Sequence, residues 1–171
     1  MPSHLRQKRV QQSLRQAYHW SISQSFRTGN MTSEIHLDPP TEGFKRHFRQ
    51  SPLTNPWGPL YSKNTGSAIH IGLWLAEPHT NSRGLAHGGL ITALADNAMG
   101  LSCGLGIENI AGLVTVGLTV DFLSSARIGQ WLEVQPEVVK TGSTLSFAQC
   151  LVTADDKACA RANATFSVLK R

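Results

Sequence analysis

The sequence feature that most constrains the fold is the run of residues 87–104, HGGLITALADNAMGLSCG, which is apolar on nearly every side. Leu90, Leu94, Ala98 and Leu101 recur in it at helical spacing, and no alternating pattern competes with that period. A helix without a polar face has to be covered by other elements, because its apolar side chains would otherwise face water. The run therefore predicts a long central helix with a second layer of structure around it.

Strand-like segments can supply that layer. Residues 67–75 alternate, with Ile69, Ile71 and Leu73 on one face. Four further segments follow the predicted helix, at residues 113–122, 131–140, 145–153 and 158–169. Short connections make the later strands antiparallel. The order predicts an α+β domain in which one curved antiparallel sheet, its last four strands in a meander, packs against one helix. Before this domain core we predict a short helix at residues 41–50, capped by Thr41, and a proline-rich loop.

The charge of the chain is concentrated at its start. The formal net charge is +5, and residues 1–30 hold five lysines and arginines and no acid, so the remainder is neutral. The folded body therefore gives no reason to expect nucleic-acid binding. We expect residues 1–33 to be a basic, flexible extension, or a stretch ahead of a true start at Met31, and residues 34–171 to be the folded domain. An organelle transit peptide is the alternative for the extension.

The cysteines and the hydropathy indicate the cellular compartment of the protein. Cys103, Cys150 and Cys159 lie in apolar or strand-like runs without metal-ligand spacing, which predicts buried, reduced thiols and no metal site. A reducing compartment follows, and we expect the cytoplasm. No run approaches the ~20 apolar residues that cross a membrane, so no membrane span is predicted.

Two features of the central helix suggest chemistry. Asp96 is the only charged residue between Leu90 and Cys103, and burying an isolated carboxylate is costly unless it is paired or hydrogen-bonded. It is therefore a candidate base or nucleophile, with a purely structural role as the alternative. His87-Gly88-Gly89 opens the helix, where backbone N–H groups lack helical partners and the dipole is positive. Such an N–H can hold an oxyanion; tight packing with a capping His is the alternative.

The spacing of these groups bears on assembly. Asp96 follows His87 by nine residues, which is about 13–14 Å along a helix and on its opposite side. Asp96 therefore cannot act on a carbonyl held at Gly88 of its own helix. If both groups are catalytic, they come from different chains, as in a two-fold dimer with two equivalent sites.

Asn81, His87-Gly88-Gly89 and Asp96 in this register resemble the hotdog-fold thioesterases of the PaaI-like and THEM-like type. The similarity continues through TVGLTVDFL at residues 115–123 and ARIG at residues 126–129. The resemblance implies a hotdog fold, a sheet wrapped around one helix, in a homodimer or homotetramer. It also implies hydrolysis of an acyl-CoA to a carboxylic acid and CoA, with no cofactor beyond the CoA of the substrate.

The resemblance assigns a role to each matching residue. The N–H of Gly88 would polarise the thioester carbonyl, and Asp96 of the partner subunit would act as base or nucleophile. His87 and Asn81 would orient the thioester and the water, and Thr115 would help to place the water or Asp96. Arg83, Gly89 and Arg127 are the candidates for binding CoA. The chain departs from many relatives at Ser124-Ser125 and Ser143, where basic residues can bind CoA phosphates, which weakens the case for CoA.

Two other functions stay open at this stage. A hotdog domain that binds acyl-CoA without hydrolysing it would keep the pocket and lose the carboxylate, so Asp96 argues against it. Hotdog dehydratases and hydratases place a His and an acid on a different loop and helix pattern, so the HGG sequence with Asp96 disfavours them.

Overall fold

One antiparallel sheet and one helix make up most of the described chain. The computed structural model describes residues 38–171, so the extension predicted at residues 1–33 lies outside the described residues. The helix α1 spans Gly88–Leu105, and one-turn 3-10 helices lie at Asn55–Trp57 and Glu77–His79. The strands are β1 (Lys45–Arg46), β2 (Tyr61–Asn64), β3 (Ile69–Trp74), β4 (Ile110–Phe122), β5 (Trp131–Lys140), β6 (Leu145–Ala154) and β7 (Lys157–Lys170).

The order of the strands in the sheet is β1-β2-β3-β5-β6-β7-β4, and every neighbouring pair is antiparallel. Strands β5, β6 and β7 form the predicted consecutive hairpins. The predicted four-strand meander is wrong for β4, which pairs with β7 at the end of the sheet. The segment after β4 is instead tied to the loop before α1, by a bridge between Leu85 and Arg127 and a bond from the N–H of Ala86 to the carbonyl of Ala126. This connection carries the chain back across the sheet, so that β5 pairs with β3.

The helix predicted at residues 41–50 is also wrong. Lys45 and Arg46 form an edge strand paired with Ser62 and Tyr61 of β2, which the sequence did not predict either. Phe44 packs edge-on against Trp131, with the ring centroids 5.3 Å apart. The segment is therefore held by contacts that are distant in sequence, and these override its weak helical pattern.

The core lies between α1 and the inner face of the sheet. The helix buries Leu90, Leu94, Ala98 and Met99 against strands whose inward residues include a series of alanines at 148, 160, 162 and 164. These small side chains let the helix approach the sheet closely, and each fully buried Leu contributes about 1.5–3 kcal/mol. No helix within residues 38–171 is long and apolar enough to cross a membrane.

One buried side chain of α1, Ser102, links the helix to the sheet by a hydrogen bond. The buried hydroxyl of Ser102 donates to the carbonyl of Ala98 at 2.7 Å and accepts from the N–H of Ile69 at 2.9 Å. The latter bond attaches the start of β3 to the C-terminal half of the helix. The three cysteines are free and buried, as predicted, and burial raises the pKa of each thiol to about 11. Thiols this basic are poor nucleophiles.

One face of α1 is not covered by its own sheet. Asp96, Asn97, Gly100, Leu101 and Gly104 are only half-buried, and Leu105 at the end of the helix is exposed. The side chains that face the sheet are buried: Leu94, Ala95, Ala98, Met99, Ser102 and Cys103. The helix is therefore less enclosed than its composition predicted. The uncovered face carries the one charged residue of the helix.

Candidate active site

The N-terminus of α1 presents a single backbone donor. His87 is the N-cap, and its Nδ1 accepts from the N–H of Gly89 at 2.9 Å. The carbonyl of His87 accepts from the N–H groups of Leu90 and Ile91 at 3.0 and 3.2 Å. Within residues 38–171, the N–H of Gly88 is the first-turn donor left without a partner. Because this N–H lies at the positive end of the helix dipole, it suits a developing negative charge on an oxygen.

The surroundings of Gly88 are narrow. A Cβ at this position would lie 3.0 Å from Cζ of Phe122, a residue that the sequence did not single out. Phe122 is 56% exposed, so its ring is not part of the core and lies beside Gly88 at the surface. The absence of a side chain at Gly88 therefore leaves room beside the ring for another group.

The loop before the helix is rigid. The Oδ1 of Asn81 accepts from the N–H groups of Arg83 and Leu85 at 2.9 and 3.3 Å, so only Nδ2 of this amide remains as a donor for a ligand. The N–H of His87 donates to the carbonyl of His79 at 2.9 Å. His79 is itself buried, and its ring bonds the N–H of Ala76 and the carbonyl of Trp57. His79 thus positions His87, a role that the sequence did not indicate.

Asp96 is held by β4. The hydroxyl of Thr115 donates to its Oδ1 at 2.7 Å, while Oδ2 makes no hydrogen bond to any residue between 38 and 171. One carboxylate oxygen is therefore oriented and the other is available to a water molecule or a substrate. The family resemblance implied that Thr115 helps to position the water or Asp96. In the structure the side chains of Thr115 and Asp96 are hydrogen-bonded.

A bulge in β4 makes this contact possible. Thr115 pairs with Phe166 and Gly117 pairs with Thr165, which leaves Val116 as an extra residue on β4. Before the bulge, Leu113 and Thr115 face the helix; after it, Leu118 and Val120 do. A regular alternation along β4 would place Thr115 on the face opposite to Leu118. The bulge reverses that assignment, as bulges beside active sites commonly do.

Asp96 lies at one end of a cavity of about 840 Å³. Its floor is the uncovered face of α1, with Gly100, Leu101 and Gly104 beyond Asp96. A Cβ on Gly100 would lie 3.3 Å from Phe166. The glycine therefore leaves this part of the cavity free of a side chain. Opposite walls come from β4 and from the segment around β1. The cavity is large enough for a small-molecule substrate.

Gly88 and Asp96 are far apart within one chain. Because α1 is continuous from Gly88 to Leu105, their separation of eight residues corresponds to about 12 Å along the axis. The described chain thus holds a donor and an acid on one helix that cannot meet on one carbonyl. The other predicted CoA-binding residues lie near the donor: Arg83 is exposed in the loop before α1, and Arg127 is exposed where it bridges Leu85. The N–H of Gly89 is already occupied by His87.

Comparison with known proteins agrees with this architecture. Residues 83–160 match the model of the thioesterase superfamily. A Pseudomonas aeruginosa protein that is named as a provisional esterase is 37% identical to this chain over 126 residues. The aligned residues cover 73% of this chain and 94% of that protein. Acyl-coenzyme A thioesterase 13 of Mus musculus is 37% identical over 79 residues, which cover 45% of this chain and 54% of that protein.

Solved structures share the fold. The phenylacetic acid degradation protein PaaI of Thermus thermophilus, solved as a mutant, superposes with a TM-score of 0.63 at 21% identity, over 70% of this chain and all of that chain (100%). A hypothetical thioesterase of Streptococcus pneumoniae, solved with coenzyme A, superposes with a TM-score of 0.60 at 19% identity, over 66% of this chain and 90% of that chain. The predicted hotdog fold is confirmed.

The chain belongs to the thioesterase superfamily, and thioester hydrolysis is its class of reaction. Both the PaaI-like resemblance and the prediction of an enzyme are confirmed at this level.

Proposed function

We propose that the protein hydrolyses an acyl-CoA thioester to a carboxylic acid and CoA, at sites shared between two copies of the chain. In each site the N–H of Gly88 from one copy holds the thioester oxygen, and Asp96 of the partner subunit activates the attack. The observation that carries this proposal is that one helix holds both an unpartnered first-turn donor and a carboxylate that Thr115 holds by a single oxygen.

The chemistry follows from the placement of these groups. Asp96 removes a proton from a water molecule, and the resulting hydroxide attacks the thioester carbon. The carbonyl oxygen becomes an oxyanion, which the N–H of Gly88 and the positive end of α1 stabilise. The carbon–sulfur bond then breaks, and the CoA thiolate leaves and takes up the proton. In the alternative route, Asp96 attacks the thioester carbon itself, the CoA thiolate leaves, and water hydrolyses the resulting anhydride. If that water attacks the Asp96 carbonyl of the anhydride, heavy-oxygen water labels Asp96 in a single turnover, whereas the general-base route labels only the product acid.

The free edge of the sheet supports a paired assembly. In the described chain, β4 pairs with β7 on one side only, and it presents Val114 and Val116 with half or more of their surface exposed. An unpaired, apolar edge strand is a ready template for another strand. Antiparallel pairing of β4 with β4 of a second copy would bring the two α1 helices side by side. A dimer of such dimers would give the tetramer.

The acyl-CoA substrate is supported by the relatives rather than by the geometry alone. One relative is named as an acyl-CoA thioesterase, and a structural neighbour was solved with coenzyme A. Arg83 and Arg127 remain the proposed polar contacts for CoA, and Gly89, whose N–H bonds His87, would contact it by close packing only. His87 and Asn81 remain the residues proposed to orient the thioester. No further cofactor and no metal is part of the proposal. The free, buried thiols are consistent with the cytoplasm as the proposed location.

The test is release of free CoA thiol from a panel of phenylacetyl, benzoyl, short-chain and medium-chain CoA thioesters. We expect Asp96→Asn to lower kcat by about a hundredfold or more, since it removes the base. The matched control is Asp156→Asn in the β6–β7 turn, where Asn also tolerates the positive φ of 67°. Near wild-type hydrolysis by Asp96→Asn would contradict the assigned role. Tight binding of acyl-CoA by a wild-type protein that hydrolyses none of the panel would favour a binding module instead.

A further inference from the structure

The wall of the Asp96 cavity opposite β4 is basic. Lys45, Arg46 and Arg49 line it, together with the polar residues Ser62 and Asn64 of β2. Asp96 is the one acidic residue among those that line the cavity in the described part of the chain. The cavity thus carries positive charge on one wall and the candidate catalytic carboxylate on its floor. The basic residues of this wall, at positions 45–49, precede residues 83–160, the part of the chain that matches the family model.

The register of β1 shows which cation is directed into the cavity. Lys45 pairs with Ser62, which lines the cavity, and Arg46 pairs with Tyr61. Neighbouring residues of a strand point to opposite faces, and directly paired residues share a face. Lys45 therefore lies on the cavity face, while the guanidinium of Arg46 stacks on the Tyr61 ring at 5.3 Å. Arg49 lines the cavity just beyond the end of the strand.

These charges are not neutralised by their neighbours. Neither Lys45 nor Arg49 forms a salt bridge with another residue of the described range. His47 lies between these cations, and burial, followed by the positive charge of Arg49, lowers its pKa. Both ring nitrogens of His47 are buried without a hydrogen-bond partner within residues 38–171. Within residues 38–171, Lys45 and Arg49 thus lie beside a substrate-sized cavity without an ion-pair partner.

We propose that Lys45 and Arg49 form an anion-binding wall of the cavity that holds an anionic group of the substrate while its thioester lies at Asp96. The inference rests on the proposed function, because the substrate has to reach Asp96. Ammonium and guanidinium groups bind phosphate and carboxylate oxygens by the same charge-assisted hydrogen bonds. The anion is therefore either a phosphate of CoA or a carboxylate at the far end of the acyl chain.

Binding of stable thioether analogues tests the wall without requiring turnover. The three probes are S-octyl-CoA, the same molecule with a carboxylate at the end of its octyl chain, and S-octyl-pantetheine, which has no phosphate group. Their Kd values are measured by calorimetry for the wild type and for the double variant Lys45→Gln/Arg49→Gln. Lys157→Gln, an exposed lysine at the start of β7 and outside the cavity, is the matched control. All three positions are exposed, so the substitutions should not disturb the fold.

We expect the double variant to raise the Kd of an anionic probe about three- to tenfold, the effect of losing two partly screened charge contacts. The rise should shrink at high salt. A rise for S-octyl-CoA that is absent for S-octyl-pantetheine identifies a CoA phosphate as the anion. A rise confined to the probe with the terminal carboxylate identifies the acyl chain as its source.

Other outcomes overturn the inference. Equal Kd values for variant and wild type with all three probes, an equal loss for uncharged S-octyl-pantetheine, or no binding by the wild type would each do so. Thiol release by the wild type, measured in parallel, tests the proposed function separately. A wild type that hydrolyses acyl-CoA while the variant binds every probe normally refutes only the anion-binding wall. A wild type that binds the probes but hydrolyses nothing refutes only the enzyme.

Discussion

Replacing Gly88 by proline would remove the proposed oxyanion donor while preserving the start of the helix. Gly88 is the first residue of α1, the position at which proline is favoured because its missing N–H has no helical partner. His87, with φ −69° and ψ 131°, already has the extended conformation that a residue before proline requires. Gly88→Pro therefore removes the N–H without breaking the helix start, and it adds three ring carbons beside Phe122.

The expected loss can be estimated from the role of this donor. Removing one oxyanion donor lowers kcat by about a hundredfold to a thousandfold, or roughly 3–4 kcal/mol of transition-state stabilisation. Gly88→Ala is the matched control, because it keeps the N–H and adds a Cβ toward the same Phe122 ring. Since Phe122 is half-exposed and can move, alanine should cost much less than proline.

Mixing two inactive variants then tests whether the site is shared. If Gly88 and Asp96 of one site come from different chains, a hybrid of Gly88→Pro with Asp96→Asn contains one intact site and one doubly defective site. Random reassociation of equal amounts makes half of the dimers hybrid, so thiol release should recover to about a quarter of the wild-type rate. The assay is co-refolding of differently tagged variants, followed by CoA release.

The result that would refute the reasoning is activity of the mixture equal to the mean of the two separate variants. In that case both groups would act within one chain, or one of them would have no part in catalysis. Full activity of Gly88→Pro alone would remove Gly88 from the mechanism directly. Purification of the hybrids through both tags before the assay excludes failure of the chains to exchange.

Three further measurements probe the support of the site and the fold. Thr115→Val removes the hydroxyl that holds Asp96 and should lower kcat about ten- to hundredfold, whereas Thr115→Ser should stay near wild type. Ser102→Ala leaves the buried N–H of Ile69 unsatisfied and should lower the free energy of unfolding by about 1–3 kcal/mol in urea titrations. Burial lowers the pKa of His79 and outweighs its backbone hydrogen bonds. The unfolded state therefore takes up the proton first, and stability measured in urea should fall as the pH drops below about 6.5; a flat profile would contradict this.

The sequence predicted the central helix well because its pattern is local. The apolar run without alternation locates α1 to within one or two residues, and His87 caps it through its own side chain. The approach of Thr115 to Asp96 was expected only from the family resemblance. Strands β5, β6 and β7 were recognisable because short turns join consecutive alternating segments.

The elements that the sequence did not reveal depend on contacts that are distant in the chain. Strands β1 and β2 are short and hold their positions through pairing with each other and with β3. The order that places β4 beside β7 follows from how the loop near Ala126 is tied to the loop before α1. Phe122 and the basic wall at Lys45 became visible as neighbours of the site only in three dimensions.

The bulge at Val116 connects the local and the long-range parts of the site. It turns Thr115 toward Asp96 and leaves the far edge of β4 exposed with Val114 and Val116. In a dimer joined along this edge, a slip of two residues in the β4 pairing would displace the partner helix by about 7 Å. That distance exceeds the reach of a hydrogen bond, so it would withdraw Gly88 from the carbonyl near Asp96. The register of one edge strand would therefore set both the oligomer and the geometry of the proposed site.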